Sequence, residues 1–195
     1  MQLLSLAERA RIAMLSSDRS RRAAVSRMLS SPLLRWRYAS RAPDQLLIVP
    51  QDLRTADASF WQEVRLGQFG LAGSLADTGE LSPFDIAPPT PAWERALHGF
   101  GWLRHLGAAD DPEARRLARQ LALEWIERSR SLSAIAAEPA VASRRLVSWL
   151  SQAPLLLDGA DQRSYDEILD GLGMQLMLLN AGWRAAAPGY PRLLS

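Results

Sequence analysis

The sequence predicts an all-α fold of antiparallel helical hairpins, with a short β-like excursion near residues 67–79. Three observations carry this reading. Apolar residues recur three and four positions apart through most of residues 91–183. Short connections join the segments that carry them, which sets neighbouring helices antiparallel. Ahead of them, Gly67, Gly70, Gly73 and Gly79 punctuate a stretch where Phe69, Leu71 and Leu75 sit at even spacings, as in a hairpin.

The chain divides into three regions. Residues 1–41 read as a basic helical arm. Leu3, Leu6, Ala10 and Met14, then Ala24, Val25 and Met28, follow helical spacing until Pro32 interrupts it. Residues 33–41 are basic and aromatic and read as a further short helix. Residues 42–90 read as an irregular excursion packed on the helices. Within it, Leu46–Val49 before Pro50 fits either a brief strand or a buried extended segment, and the prolines at 83, 88, 89 and 91 make a stiff connector. Residues 91–195 hold the regular hairpins.

Four helices are expected in that last region. The first covers about 91–107, with Trp93, Leu97, Phe100 and Leu103 on one face and Gly107 closing it. The second covers about 112–130, where Asp110-Asp111-Pro112 supplies an N-cap and a proline at the first helical position. The third covers about 139–157, with Leu146, Trp149 and Leu150 on its apolar face. The fourth covers about 161–183, with Tyr165, Leu169, Leu172 and Leu176.

Composition narrows the chemistry. The 195 residues contain no cysteine, so they offer no disulfide, thiolate nucleophile or typical structural zinc site. All 23 basic residues are arginine, which removes the phosphate-binding P-loop lysine and Schiff-base catalysis. No cofactor or metal is expected. Imidazole chemistry is limited to His98 and His105, which would lie two turns apart on one helix and too far apart to share a metal ion.

Residues 1–41 carry nine arginines against Glu8 and Asp18, a net of +7, while the rest of the chain is net −5. Such an arm suits an acidic polymer, an anionic membrane or nucleic acid, or is simply a solvated helix face; nucleic acid is not the favoured partner. No stretch reaches the roughly 20 apolar residues that span a bilayer. With no secretory hydrophobic run at its start, the chain reads as cytoplasmic, periplasmic being the alternative.

Two segments carry a family resemblance. The first is Trp93-Glu-Arg-Ala-Leu97-His98-Gly-Phe100-Gly-Trp102-Leu103. The second is Glu138-Pro139 followed by Arg145-Leu-Val-Ser148-Trp149-Leu150. In order and spacing the pair resembles the N-terminal helical domain of heparinase II/III-like polysaccharide lyases, although Ser148 stands where that family usually has asparagine. The resemblance implies part of an α/α toroid, completed in full-length members by a C-terminal β-sandwich domain, and a cleft for an acidic, uronate-containing polysaccharide cleaved by β-elimination. The family's catalytic asparagine, histidine and tyrosine lie mostly downstream of the second motif. No asparagine–histidine segment follows Trp149, and Asn180 stands alone, so no catalytic residue is assigned and this chain is expected to be inactive by itself.

The residues proposed to meet substrate are His98, Trp102, Arg145, Trp149 and Gln152. Trp102 is four residues from His98, so an indole stacked on a sugar face and an imidazole bonded to a hydroxyl would share one stripe. Arg145 and Trp149 are spaced the same way, and an arginine there binds a carboxylate or sulfate through two parallel hydrogen bonds, or else lies over the indole. Gln152 and Ser148 would extend that polar stripe. The competing reading is that the tryptophans pack in the core and His98 satisfies a neighbouring polar group. Two non-enzymatic alternatives are a helical protein-interaction module and an anionic-surface binder acting through the arginine-rich arm.

Overall fold

A computed structural model describes residues 45–129 and 133–182, so the helices expected in the basic arm lie outside the described residues. What is described is mostly helical, with one two-stranded antiparallel sheet. In order, the elements are α1 (Ser59–Arg65), β1 (Gln68–Leu71), β2 (Ser74–Asp77), α2 (Pro91–Gly99), α3 (Leu103–Ala108), α4 (Pro112–Arg128), α5 (Pro139–Ser151), α6 (Ala153–Leu157) and α7 (Gln162–Gly182).

The excursion forms the hairpin its glycines predict. Phe69 pairs with Ala76 and Gly70 with Leu75. Phe69 and Ala76 point inward and are 2% and 4% exposed. The hairpin is closed at its base by Gly67, whose carbonyl oxygen accepts from Thr78 N at 2.7 Å, Gly79 N at 3.2 Å and Thr78 Oγ1 at 2.9 Å. Gly67 has φ of 74°, and a Cβ there would lie 2.9 Å from the Gly79 backbone, so only glycine fits without strain. Leu46–Val49 is neither strand nor buried segment. Leu46 alone touches the core, and Leu47 and Ile48 face solvent.

The helices start where the sequence says and end sooner. Thr90 Oγ1 accepts from Trp93 N at 3.1 Å to cap α2, and Asp111 accepts from Glu113 N at 2.7 Å to cap α4; both helices carry proline in the first turn. The expected helix over 91–107 is instead two helices. Phe100 takes a left-handed conformation, φ 55°, which ends α2 and turns the chain into α3. The flanking Gly99 and Gly101 leave room for the bend, and Trp102 Nε1 donates to the Leu97 carbonyl at 3.0 Å across it. One bend thus sends both Phe100 and Trp102 into the core. The expected helix over 139–157 is likewise divided, into α5 and α6, at Gln152.

One apolar core joins these elements. α2 packs on α5, α5 on α7, and α4 on both α6 and α7, while α1 and β1 close the other side. Aromatic rings run through it from hairpin to helices. Phe69 lies 5.4 Å from Trp102, Trp102 lies 5.0 Å from Phe100, Phe100 lies 5.3 Å from Trp149, and Trp149 lies 5.9 Å from Trp125. The Trp102–Phe100 pair is tilted at 30° and the other three meet edge to face, an arrangement that adds about 0.5–1.5 kcal/mol per pair beyond the area buried. Among the described residues no helix is long and apolar enough to cross a membrane.

Candidate functional site

The sequence-derived site separates into two places, a buried knot and an open groove. His98, Trp102, Arg145 and Trp149 belong to the knot. Trp102 is 2% exposed and Trp149 0%, so neither indole offers a face on which a sugar can stack. Arg145 is 3% exposed. Its guanidinium lies 3.9 Å from the ring centre of Trp125 on α4, rather than over Trp149 on its own helix. Nη1 donates to the carbonyls of His98, at 2.9 Å, and Ala136, at 3.3 Å, and Nε donates to Gln175 Oε1.

Among the described residues this arginine has no carboxylate partner. Its charge is held by two carbonyls, an amide oxygen and an indole face. Burial lowers its pKa to about 9, which leaves it cationic at neutral pH. The fork geometry suits the task, since a planar guanidinium reaches α2, α7 and the turn before α5 at once. Beside it, Ser148 Oγ, Trp149 Nε1 and Gln175 Nε2 are buried without hydrogen-bond partners among the described residues.

His98 and His105 do not share a stripe, because the bend at Phe100 puts them on different helices. His98 Nδ1 accepts from Trp125 Nε1 at 3.1 Å, and its ring stacks on Phe84 at 5.8 Å. Burial, and then the charge of Arg145, lower its pKa to about 4, so it is a neutral acceptor here. His105 Nδ1 accepts from Asp57 N at 2.8 Å and so holds the segment ahead of α1 against α3. Burial and then Arg104 lower its pKa as well.

Gln152 belongs to the groove. It sits at the α5–α6 joint and lines an open groove of about 360 Å³ with Asp52, Arg54, Arg104, Arg115 and Ser151. Four chain segments build this groove. Arg54 pairs with Asp52 through two hydrogen bonds of 2.8 and 2.7 Å, which hold the Asp52 carboxyl down to about 2. Arg104 anchors the extended segment by donating to Thr55 O at 2.9 Å and braces the bend by donating to Gly101 O at 2.6 Å. Arg115 donates to Pro154 O at 2.8 Å. The groove therefore carries three guanidiniums against one carboxylate.

Ser148, the other member of the proposed stripe, is buried and does not reach this surface. No sequence signal singles out Arg54, Arg104 or Arg115. Arg104 neighbours the second histidine and Arg115 sits in the first turn of a well-signalled helix, but nothing in their spacing brings them together. Only the bend at Phe100 and the path of residues 52–57 do so. Among the described residues no cluster of three or more histidine, aspartate or glutamate side chains is placed to hold a metal ion.

No family model matches the chain, and no solved structure does. Over 92 residues it is 33% identical to FtsZ-localized protein C of Caulobacter vibrioides (strain NA1000 / CB15N). That stretch is 47% of this chain and 16% of the Caulobacter protein, so the similarity spans a small part of a much longer relative.

Proposed function

We propose that this chain is the N-terminal helical portion of a heparinase II/III-like protein and forms one wall of a cleft for an acidic, uronate-containing polysaccharide. One observation carries the reading. The two segments that resemble the family, residues 93–103 and 138–150, pack as one unit. Arg145 of the second hydrogen-bonds the His98 carbonyl of the first, and Arg95 of the first pairs with Glu138 of the second through two bonds of 2.9 Å. The motif residues of such a protein would then be its framework, with the sugar meeting the polar surface above them. An arc of helical hairpins in a partial toroid, and a β-sandwich domain completing the site, belong to this same proposal.

Affinity electrophoresis tests it. The 195-residue protein should migrate more slowly in gels containing polygalacturonate than in gels containing neutral dextran, and should release no unsaturated uronate product from either polymer. Equal mobility in the two gels would sink the reading. Release of unsaturated product would overturn the expectation that the chain is inactive alone.

The similarity to FtsZ-localized protein C favours a second reading, in which the chain is a non-catalytic interaction module that associates with FtsZ. Co-sedimentation with assembled FtsZ checks it. Recovery of the chain in the pellet only when FtsZ is present supports this reading, and a chain that stays in the supernatant in both cases excludes it.

A further inference from the structure

The groove has a charge imbalance that the described residues leave unmet. Arg54 uses its paired carboxylate fully, since Asp52 takes both Nε and Nη2. Arg104 spends Nε and Nη1 on backbone carbonyls, and Arg115 spends one nitrogen on Pro154 O. A guanidinium has five N–H donors, so Arg104 and Arg115 retain several that meet no protein acceptor among the described residues. Arg54 and Arg104 also lie close together. A Cβ placed on Gly101 would be 3.4 Å from Nη1 of Arg104 and 4.0 Å from Nη1 of Arg54. Two like charges are thus set side by side with Asp52 as the one acid lining the groove.

Gln152 adds a neutral donor. Its Oε1 lies 2.9 Å from where a Gly107 Cβ would be, so the amide is laid flat along α3, and it makes no side-chain hydrogen bond to the described residues. Arg104 and Arg115 are held in place by backbone carbonyls, and Arg54 by the Asp52 carboxylate, rather than extended loosely into solvent. Preorganised donors of this kind bind an oxyanion without first losing side-chain freedom.

We propose that this groove is an oxyanion site, in which Arg104 and Arg115, with Gln152 alongside, take the carboxylate or sulfate group of an acidic ligand. The site rests on the polysaccharide reading only for the sugar that bears the anion, while the anion contact stands on the groove's own charges. Binding is non-covalent, with parallel N–H donors meeting the anion oxygens.

Isothermal titration separates the possibilities. The probes are an oligogalacturonate for the carboxylate, a dextran sulfate oligomer for the sulfate, and a plain dextran oligomer as neutral control. The proteins are the full chain, Arg115→Gln, Arg104→Gln and Gln152→Ala, with Arg163→Gln on the exposed face of α7 as control. At least one charged probe should bind the full chain and the Arg163→Gln protein alike. Arg115→Gln and Arg104→Gln should each weaken it by roughly tenfold to a hundredfold, the loss expected for a hydrogen bond to a charged group, and Gln152→Ala by less. Whichever charged probe binds tighter identifies the anion. Because Arg104 also anchors residues 52–57, Arg115→Gln, which removes one contact to α6, is the deciding variant should Arg104→Gln fail to fold. Charged probes that bind every variant equally overturn the groove but keep the polysaccharide reading, placing the polymer on other arginines. Plain dextran binding as tightly as the charged probes overturns the anion contact. No binding by any probe removes both.

Discussion

A buried arginine without an acid partner is a demanding group to keep, and the neighbours of Arg145 show how it is kept. The Trp125 face, two carbonyls and an amide oxygen together replace water around the guanidinium. Taking it away orphans the His98 and Ala136 carbonyls and leaves the Trp125 face against a void. Arg145→Ala should therefore destabilise the fold by about 3 kcal/mol. Arg145→Lys should recover little of it, because an ammonium lacks the planar fork. Urea unfolding of the two variants checks this, and an unchanged midpoint would return Arg145 to the list of ligand contacts. His98 gives the same knot a pH dependence. Its folded pKa, about 4, is below the ordinary 6.5, so the unfolded chain binds the proton more readily. Its contribution is complete above pH 6.5 and is lost as the pH falls from 6.5 through 4. Discounted for the partial exposure of the ring, the loss amounts to about 2 kcal/mol. His105 shifts in the same direction, burial being the first cause, so its contribution is likewise lost as the pH falls below the ordinary imidazole range. In His98→Gln the amide oxygen can still accept from Trp125 Nε1 but does not titrate. Comparing urea midpoints at neutral pH and at about pH 4.5 should show a flatter slope in that variant than in the natural chain.

At the scale of elements, the sequence is informative where local chemistry sets the structure. The Asp111-Pro112 and Thr90-Pro91 starts, the glycine-punctuated hairpin and the apolar stripes of α4 and α7 all depend on neighbours a few residues away. Two features depend on contacts across the molecule and so left no periodic trace. One is the left-handed Phe100, a conformation that a bulky aromatic adopts only when tertiary packing holds it; here its ring is fully buried between Trp102 and Trp149. The other is the choice of Trp125 as the partner of Arg145, which spacing along one helix assigns to Trp149. Both had consequences for the site. The bend moved His105 away from His98, and burial took Trp102, the proposed stacking indole, and Trp149 off the surface. Gln152 kept a surface position because α5 ends just before it. The hairpin supplies a prediction of its own. Gly67→Ala places a methyl group against the Gly79 backbone and forces alanine into a positive φ, so it should cost about 1–3 kcal/mol. Gly73→Ala, also at positive φ but with open space around it, should cost less. Amide exchange at Thr78 and Gly79, which donate to Gly67 O, should rise in the first variant and change little in the second.

The whole molecule is tied together by the ring-to-ring core. Trp93 Nε1 donates to Phe69 O at 3.0 Å and pins the hairpin to α2, while Trp61 Nε1 donates to Asp111 Oδ2 at 2.9 Å and pins α1 to the start of α4. Trp149 sits where α5 meets α4 and α7, in contact with Phe100 and Trp125 and close to Gly171. With buried residues from α1 to α7 in one cluster, the hairpin and the helices have no separate cores on which to unfold independently. The described part of the chain should therefore unfold in a single transition, with tryptophan fluorescence and far-ultraviolet circular dichroism reporting the same midpoint. Trp149→Ala opens a cavity at the centre of the cluster and should lower stability by about 3–5 kcal/mol. Both signals should move together in that variant, because the tryptophan supports the helices directly and the hairpin through Phe100, Trp102 and Phe69. If fluorescence shifted while the helical signal did not, the ring network would be a local feature. The core would then be too loosely coupled to fix the backbone carbonyls of Thr55, Gly101 and Pro154 that hold Arg104 and Arg115. Coincident shifts would mean that the ring network around Phe100, Trp102 and Trp149 serves as the frame of the whole described fold, groove included.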